Sequence, residues 1–173
     1  IADPRPNGPS TWISPLISSE DNLQWSAGLI GHDLYGGTSG LALTLAAYAR
    51  RCRDDRAAEA ATRVFGPLAG QIKANSLEGP EAHTEGLVGL PGICWALSAA
   101  NDLLPEFEVD RGMLLDRMVE LQPLGETLEV VAGQAGTLLC ALAIAERMGD
   151  AHGQSRTAVD AIAKDFHSAL EKE

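Results

Sequence analysis

The sequence contains no run approaching the roughly 18 consecutive apolar residues that a membrane span requires, and no basic segment ahead of an apolar one that would mark export. A soluble protein of the cytoplasm, with no membrane partner, is the expectation. Positive charge is also scarce: 13 Lys and Arg face 24 Asp and Glu, a net charge of -11. Such a field repels phosphate backbones and argues against nucleic acid as a partner. The three cysteines, Cys52, Cys94 and Cys140, are widely and unevenly spaced. That excludes a disulfide scaffold and fits free thiols in a reducing compartment. Cys94 and Cys140 fall inside apolar stretches, where cysteine serves as a small core hydrophobe.

Several chemistries lack their motifs. The histidines, His32, His83, His152 and His167, stand in none of the spacings that ligate zinc together with a second His or a Cys pair, so no metal site is expected within this chain. Thr38-Ser39-Gly40 lacks the glycine-flanked serine elbow of a hydrolase, and no lysine follows any glycine motif as a phosphate loop would need. His32 and His83 each lie shortly before a glycine motif, but an ordinary loop histidine is the better reading of both. His167 reads as solvent-facing or as a partner at a helix end.

What the chain does have is repetition. A glycine pair at fixed spacing occurs as Gly37 and Gly40, again as Gly89 and Gly92, and a third time as Gly133 and Gly136. Each copy opens an alanine- and leucine-rich stretch. Leu41, Leu45 and Tyr48 recur at helical spacing to about Arg51; Ile93, Cys94, Trp95 and Leu97 carry a helix to about Ala100; Leu138, Leu139 and Leu142 carry one to about Met148. More charged helices are expected over 56–74, 109–121 and 155–171, the first kinked or divided at Gly66-Pro67. Pro91 suits the first helical position.

From Gly37 to Gly89 is 52 residues, and from Gly89 to Gly133 is 44. Those periods fit an array of helix pairs and not a dinucleotide-binding fold, since no strand is expected before any motif. The predicted fold is all-α, with inner helices behind the glycines and an outer layer of charged ones. Glycine lets the loop turn sharply and the helix start approach neighbouring backbone. Helix packing is the main reading of the motif; helix amino termini gathered at one end and offering amides to an anion is the second.

Residues 1–33 read differently. Ile1 to Ser10 is rich in turn formers and reads as a linker or the end of a preceding domain, and Trp12 to Ile30 shows neither helical nor alternating register. Among the acids, Glu129 stands out, four residues before Gly133 and flanked by Leu128 and Val130. It reads equally as an exposed loop acid and as a proton-transfer group whose pKa apolar neighbours raise.

Leu34-Tyr35-Gly-Gly-Thr-Ser-Gly-Leu-Ala-Leu, with Gly86-Leu-Val-Gly-Leu-Pro-Gly92 and Val130-Val-Ala-Gly-Gln-Ala-Gly136 behind it, closely resembles the opening of the cyclase domain of lanthionine synthetases. Thr11-Trp12-Ile13 and the lead-in resemble the junction of the bifunctional, type 2 members, where a dehydratase precedes the cyclase. The resemblance implies an α/α toroid, here an incomplete ring of about three repeats near 34–85, 86–129 and 130–173. It implies an enzyme that, when complete, holds zinc through two cysteines and a histidine and adds precursor-peptide thiols to dehydroalanine or dehydrobutyrine.

The settings of the family's zinc ligands are missing from this sequence. Ala151-His152-Gly153 resembles a fourth-repeat motif but stands in the wrong register, so its role is not carried over. Where the family has an active-site aspartate, this chain has Glu129. The resemblance therefore implies the first half of a cyclase domain, completed by a missing C-terminal half, with a precursor peptide as substrate and self-association of the fragment through uncovered apolar faces. A noncatalytic helical-repeat module that binds peptide is the runner-up. A toroidal glycoside hydrolase is disfavoured, because no acid pair falls on a shared surface.

Overall fold

The computed structural model describes residues 12–17, 25–121, 127–149 and 153–171. Within these the chain runs β1 (Ile13–Ile17), β2 (Trp25–Leu29), α1 (Thr38–Cys52), α2 (Asp55–Lys73), α3 (Leu90–Leu103), α4 (Arg111–Glu120), α5 (Gln134–Met148) and α6 (Gly153–Leu170), with one 3-10 turn at Pro80–His83. The architecture is predominantly helical. No helix among the described residues is long and apolar enough to cross a membrane. Thr11, Ala151 and His152 lie outside the described residues.

Three local expectations are corrected. Within the lead-in, Ile13–Ile17 and Trp25–Leu29 pair as an antiparallel hairpin in which Ile13 faces Leu29 and Ile17 faces Trp25. Its alternation was hidden because Leu16 and Ile17 are adjacent apolar residues and the middle of the second strand holds only the small residues Ser26, Ala27 and Gly28. The helix over Asp55–Lys73 is continuous through Pro67. Gly66 and Pro67 are exposed, so the proline ring lies on the solvent side of the helix. Pro91 takes the second helical position rather than the first, behind Leu90.

The helices pack in two rows. In one, α3 lies between α1 and α5; in the other, α4 touches both α2 and α6, and each sequential pair packs together. Helix α3 is buried along most of its length. Ala42 and Ala46 of α1, Ala96 and Ala100 of α3 and Ala141 of α5 are completely buried, and small side chains there allow close helix approach. The second row supplies bulk. Helix α2 buries Ala57, Ala61, Val64, Phe65, Leu68 and Ile72 on one stripe, and Phe65 meets Phe107 at 5.8 Å between ring centroids. Leu114, Leu115 and Met118 do the same for α4. Each such large side chain contributes about 1.5–3 kcal/mol by burial.

One carboxylate ties the far end of the inner row. Asp102, at the end of α3, accepts from Arg111 and from Arg147 Nε at 3.2 Å, while Arg50 donates to its backbone carbonyl. Helices α1, α3, α4 and α5 are thereby pinned together, with cations placed where helix carboxyl ends carry partial negative charge.

The cysteine burial gives a simple check. Cys52 is exposed, whereas Cys94 and Cys140 are buried between α3 and α5. Titration with Ellman's reagent is expected to label Cys52 alone in the native protein, and Cys94 and Cys140 only after denaturant is added. Rapid native labelling at Cys94 would show that the α3–α5 contact is not formed.

Candidate functional site: three linked glycine loops

Helices α2 and α4 start by a different means from α1, α3 and α5, and the difference explains the repeated motif. In the second row, Asp54 accepts from the amides of Arg56 and Ala57, each at 3.0 Å, and Asp110 accepts from Gly112 and Met113 at 2.9 and 3.3 Å. These are ordinary side-chain caps. Helices α1, α3 and α5 begin after Gly37, Gly89 and Gly133, which have no capping side chain. Instead the preceding loop folds back and caps with its own carbonyls. Thr38 donates to Gly31 O at 2.8 Å, Leu90 to Thr84 O at 3.1 Å and Gln134 to Thr127 O at 2.9 Å.

That fold-back leaves no room for a side chain at either glycine. A Cβ on Gly89 would lie 1.7 Å from Thr84 O, one on Gly133 2.4 Å from Thr127 O, and one on Gly37 2.5 Å from Asp33 N. At the second glycine of each motif the obstacle is again a loop carbonyl: Leu34 O for Gly40, Leu87 O for Gly92 and Val130 O for Gly136. The first glycines have ordinary extended backbone, so close approach and not left-handed geometry selects them.

The loops are also bonded to one another. Leu34 N donates to Leu87 O at 3.2 Å, and Val88 N donates to Val131 O at 3.0 Å, linking the first loop to the second and the second to the third. Gly86 N donates to Thr137 Oγ1 at 3.0 Å. Gly86 has a positive φ, +70°, and its Cβ would strike Val131 O. The starts of α1, α3 and α5 are therefore fastened side by side in one rim.

Several of the rim's amides are already taken up by the loops. Thr38, Leu90 and Gln134 spend theirs on loop carbonyls, and Gly92 and Gly136 donate to Gly86 O and Glu129 O. The packing role of the glycines accounts for them.

Acids line the rim in register. Asp33, Glu85 and Glu129 each stand four residues before the first glycine of their motif. Glu129 is exposed, as are Val130 and Val131 beside it. Asp33 accepts from Gly36 N at 2.6 Å and braces the first loop. Glu85 is 4% exposed, a buried carboxylate in the middle loop. Reading the sequence for a single acid before the third motif passed over Glu85; the same spacing in all three copies is the signal that identifies it. His32 is half-buried, with Nδ1 3.1 Å from Thr38 Oγ1 and its amide donating to Glu81 Oε1 at 3.0 Å, while His83 is exposed. Both histidines are loop residues, and they are not brought together with Glu129 by any bond among the described residues.

Among the described residues no group of three His, Cys, Asp or Glu side chains is placed to hold a metal ion. The two inner cysteines are suited to packing instead. Burial pushes the Cys140 thiol up to about 12 and raises Cys94 as well, with the nearby Cys140 adding to the effect of burial on Cys94. A thiol held neutral in this way is a poor ligand, since metals bind the thiolate.

Comparison with known families gives one match: a family described as Lanthionine synthetase C-like protein, over residues 29–173, which include all three glycine loops. A search of curated proteins found no match.

Proposed function

The chain belongs to the lanthionine synthetase C-like family, and from that premise we propose that it is the first half of a cyclase domain that closes thioether rings in a precursor peptide. The observation that carries the reading is the rim, in which three copies of one loop bond in sequence and set three inner helices side by side. In the reaction a peptide cysteine gives up its proton, its sulfur bonds to the β-carbon of a dehydroalanine or dehydrobutyrine, and the electron pair of the double bond takes a proton at the α-carbon. The ring forms with no change in mass.

Further helix pairs complete the domain in this reading. Leu41 and Tyr48 on α1, and Leu139 and Leu142 on α5, are 43–52% exposed on the two helices that end the inner row. These are the faces that additional repeats would cover, and in their absence the fragment is expected to self-associate. The resemblance of the Thr11-Trp12-Ile13 segment and the lead-in to a type 2 junction supports placing the chain within a bifunctional synthetase. Zinc ligands in the rest of the complete domain are part of this proposal; no donor set is present among the described residues, and no step is assigned to zinc here. To Glu129 we assign proton transfer, on the strength of its register before Gly133 and its access to solvent.

The test uses the complete gene-encoded protein and a dehydrated, cysteine-containing precursor peptide. The expected product has unchanged mass and no longer reacts with N-ethylmaleimide. Glu129→Gln is expected to slow ring closure by about 10²–10⁴-fold while leaving peptide affinity unchanged. Full activity in that variant removes Glu129 from the mechanism; binding without ring closure in the parent protein makes the chain a peptide-binding module.

A further inference from the structure

Among the described residues the hairpin has one blunted edge and one edge with no partner strand. Ile30 N donates to Trp12 O at 3.2 Å, which makes that pair hydrogen-bonded, and alternation along an antiparallel ladder then makes Ile13–Leu29 and Pro15–Ala27 non-hydrogen-bonded pairs. In such pairs the amides and carbonyls point away from the partner strand. On β1 the outward amide is missing at Pro15, so a further strand cannot pair there without a gap. On β2, Ala27 and Leu29 keep both groups, and no hydrogen bond among the described residues uses them. Nothing in Trp25-Ser26-Ala27-Gly28-Leu29 protects that edge, since it has no proline, no lysine and no charge.

The side chains on the same pairs add an apolar surface. Ile13, Pro15, Ala27 and Leu29 share one face of the hairpin by register, and all four are exposed, Ile13 by 55% and Leu29 by 65%. Alternation in a half-buried hairpin normally turns polar residues outward. Here the outward face is apolar.

Size and charge decide between occupants. A stable interface with a second copy buries about 800 Å² per partner, whereas a five-residue strand offers an edge of about 17 Å. That length suits a single extended segment. Neither strand carries a charged side chain, and the chain as a whole has a net charge of -11, so an acidic segment is repelled and an uncharged or basic one is favoured.

We infer that the outer edge of β2 is a docking site for an extended, uncharged or basic segment of the substrate peptide, which adds as a third strand and lays its apolar side chains beside Leu29. The inference rests on the peptide-modifying reading above and locates part of its substrate site. Main-chain pairing of this kind tolerates varied sequences, because the affinity comes from backbone groups. It holds a flexible substrate near the rim without specifying which residues react.

The test uses the chain itself and a fluorescein-labelled, acetylated and amidated peptide of alternating threonine and valine, matched to β2 in length. Anisotropy is expected to show binding, and N-methylation at alternate residues is expected to weaken it in a period-two pattern. Each methyl on the set facing β2 costs about 3- to 10-fold, and methyls on the other set cost nothing. Ala27→Pro, which places proline directly opposite Pro15 and at a position whose amide does not bond β1, is expected to weaken binding by at least about 10-fold. Unchanged circular dichroism and melting temperature in that variant show the hairpin intact. No binding of the unmethylated peptide, or binding that ignores both the methyl pattern and Ala27→Pro, overturns the inference. So does a native dimer that Ala27→Pro dissociates, because the edge then belongs to a second copy. None of these outcomes touches the peptide-modifying reading, which stands or falls on ring closure by the complete protein.

Discussion

Gly89→Ala is expected to lose about 3–5 kcal/mol of folding stability, a large share of what a domain of this size has. The new Cβ would sit 1.7 Å from Thr84 O and 2.2 Å from Thr84 C, which are backbone atoms with no rotamer to retreat into. Moving that carbonyl breaks the cap it gives Leu90 N and displaces the loop whose Val88 N bonds the third loop. Gly136→Ala is expected to behave alike, with its Cβ 1.8 Å from Val130 O and 2.8 Å from Gly86 Cα, so that it wedges two loops apart. The control is Gly70→Ala on α2, where nothing lies within 4 Å of the added carbon. In that exposed helix interior alanine removes unfolded-state freedom and should add about 0.5–1 kcal/mol. Urea unfolding midpoints of the three variants measure the contrast. A Gly89→Ala protein within 1 kcal/mol of the parent, an outcome well below the estimate, would disprove the account of loops that cap helices by close approach.

The sequence showed the helices clearly and the reason for the glycines only in outline. Predicted helices over 56–74, 109–121 and 155–171 lie within two residues of α2, α4 and α6 at either end, because a buried stripe such as Val64, Leu68 and Ile72 imposes a strong period. The hairpin was missed because its strands are only five residues long and the adjacent apolar Pro15, Leu16 and Ile17 break the alternation of the first. The uninterrupted course of α2 through Pro67 depends on which face meets water, a tertiary fact that local propensity does not contain. At the rim, spacing identified all six glycines and Glu129. It did not show that a loop carbonyl accepts from the first amide of each inner helix, since that pairing joins residues six or seven apart through a fold-back with no side-chain signature. Glu85 was legible by its register with Glu129, but its burial was not.

The second large effect is a steep loss of stability in alkali, traceable to two named thiols. Burial raises the pKa of Cys94 and lifts that of Cys140 from the ordinary value near 9 to about 12, so the folded protein keeps both protonated at a pH where the unfolded chain releases them. The folded-state values lie above the unfolded ones. The stabilising contribution is therefore complete below about pH 9, falls as pH rises above it, and for Cys140 is exhausted near pH 12. Each thiol costs about 1.4 kcal/mol per pH unit in that window, or on the order of 5 kcal/mol for the pair between pH 9 and pH 11. Urea titrations across this range measure the slope. Replacing both Cys94 and Cys140 by alanine will lower stability at neutral pH through lost packing, but it should flatten the alkaline decline to the background set by lysine, tyrosine and net charge. An unchanged slope in the double variant would mean that water reaches the α3–α5 contact, and with it that the inner row is not closed around these thiols.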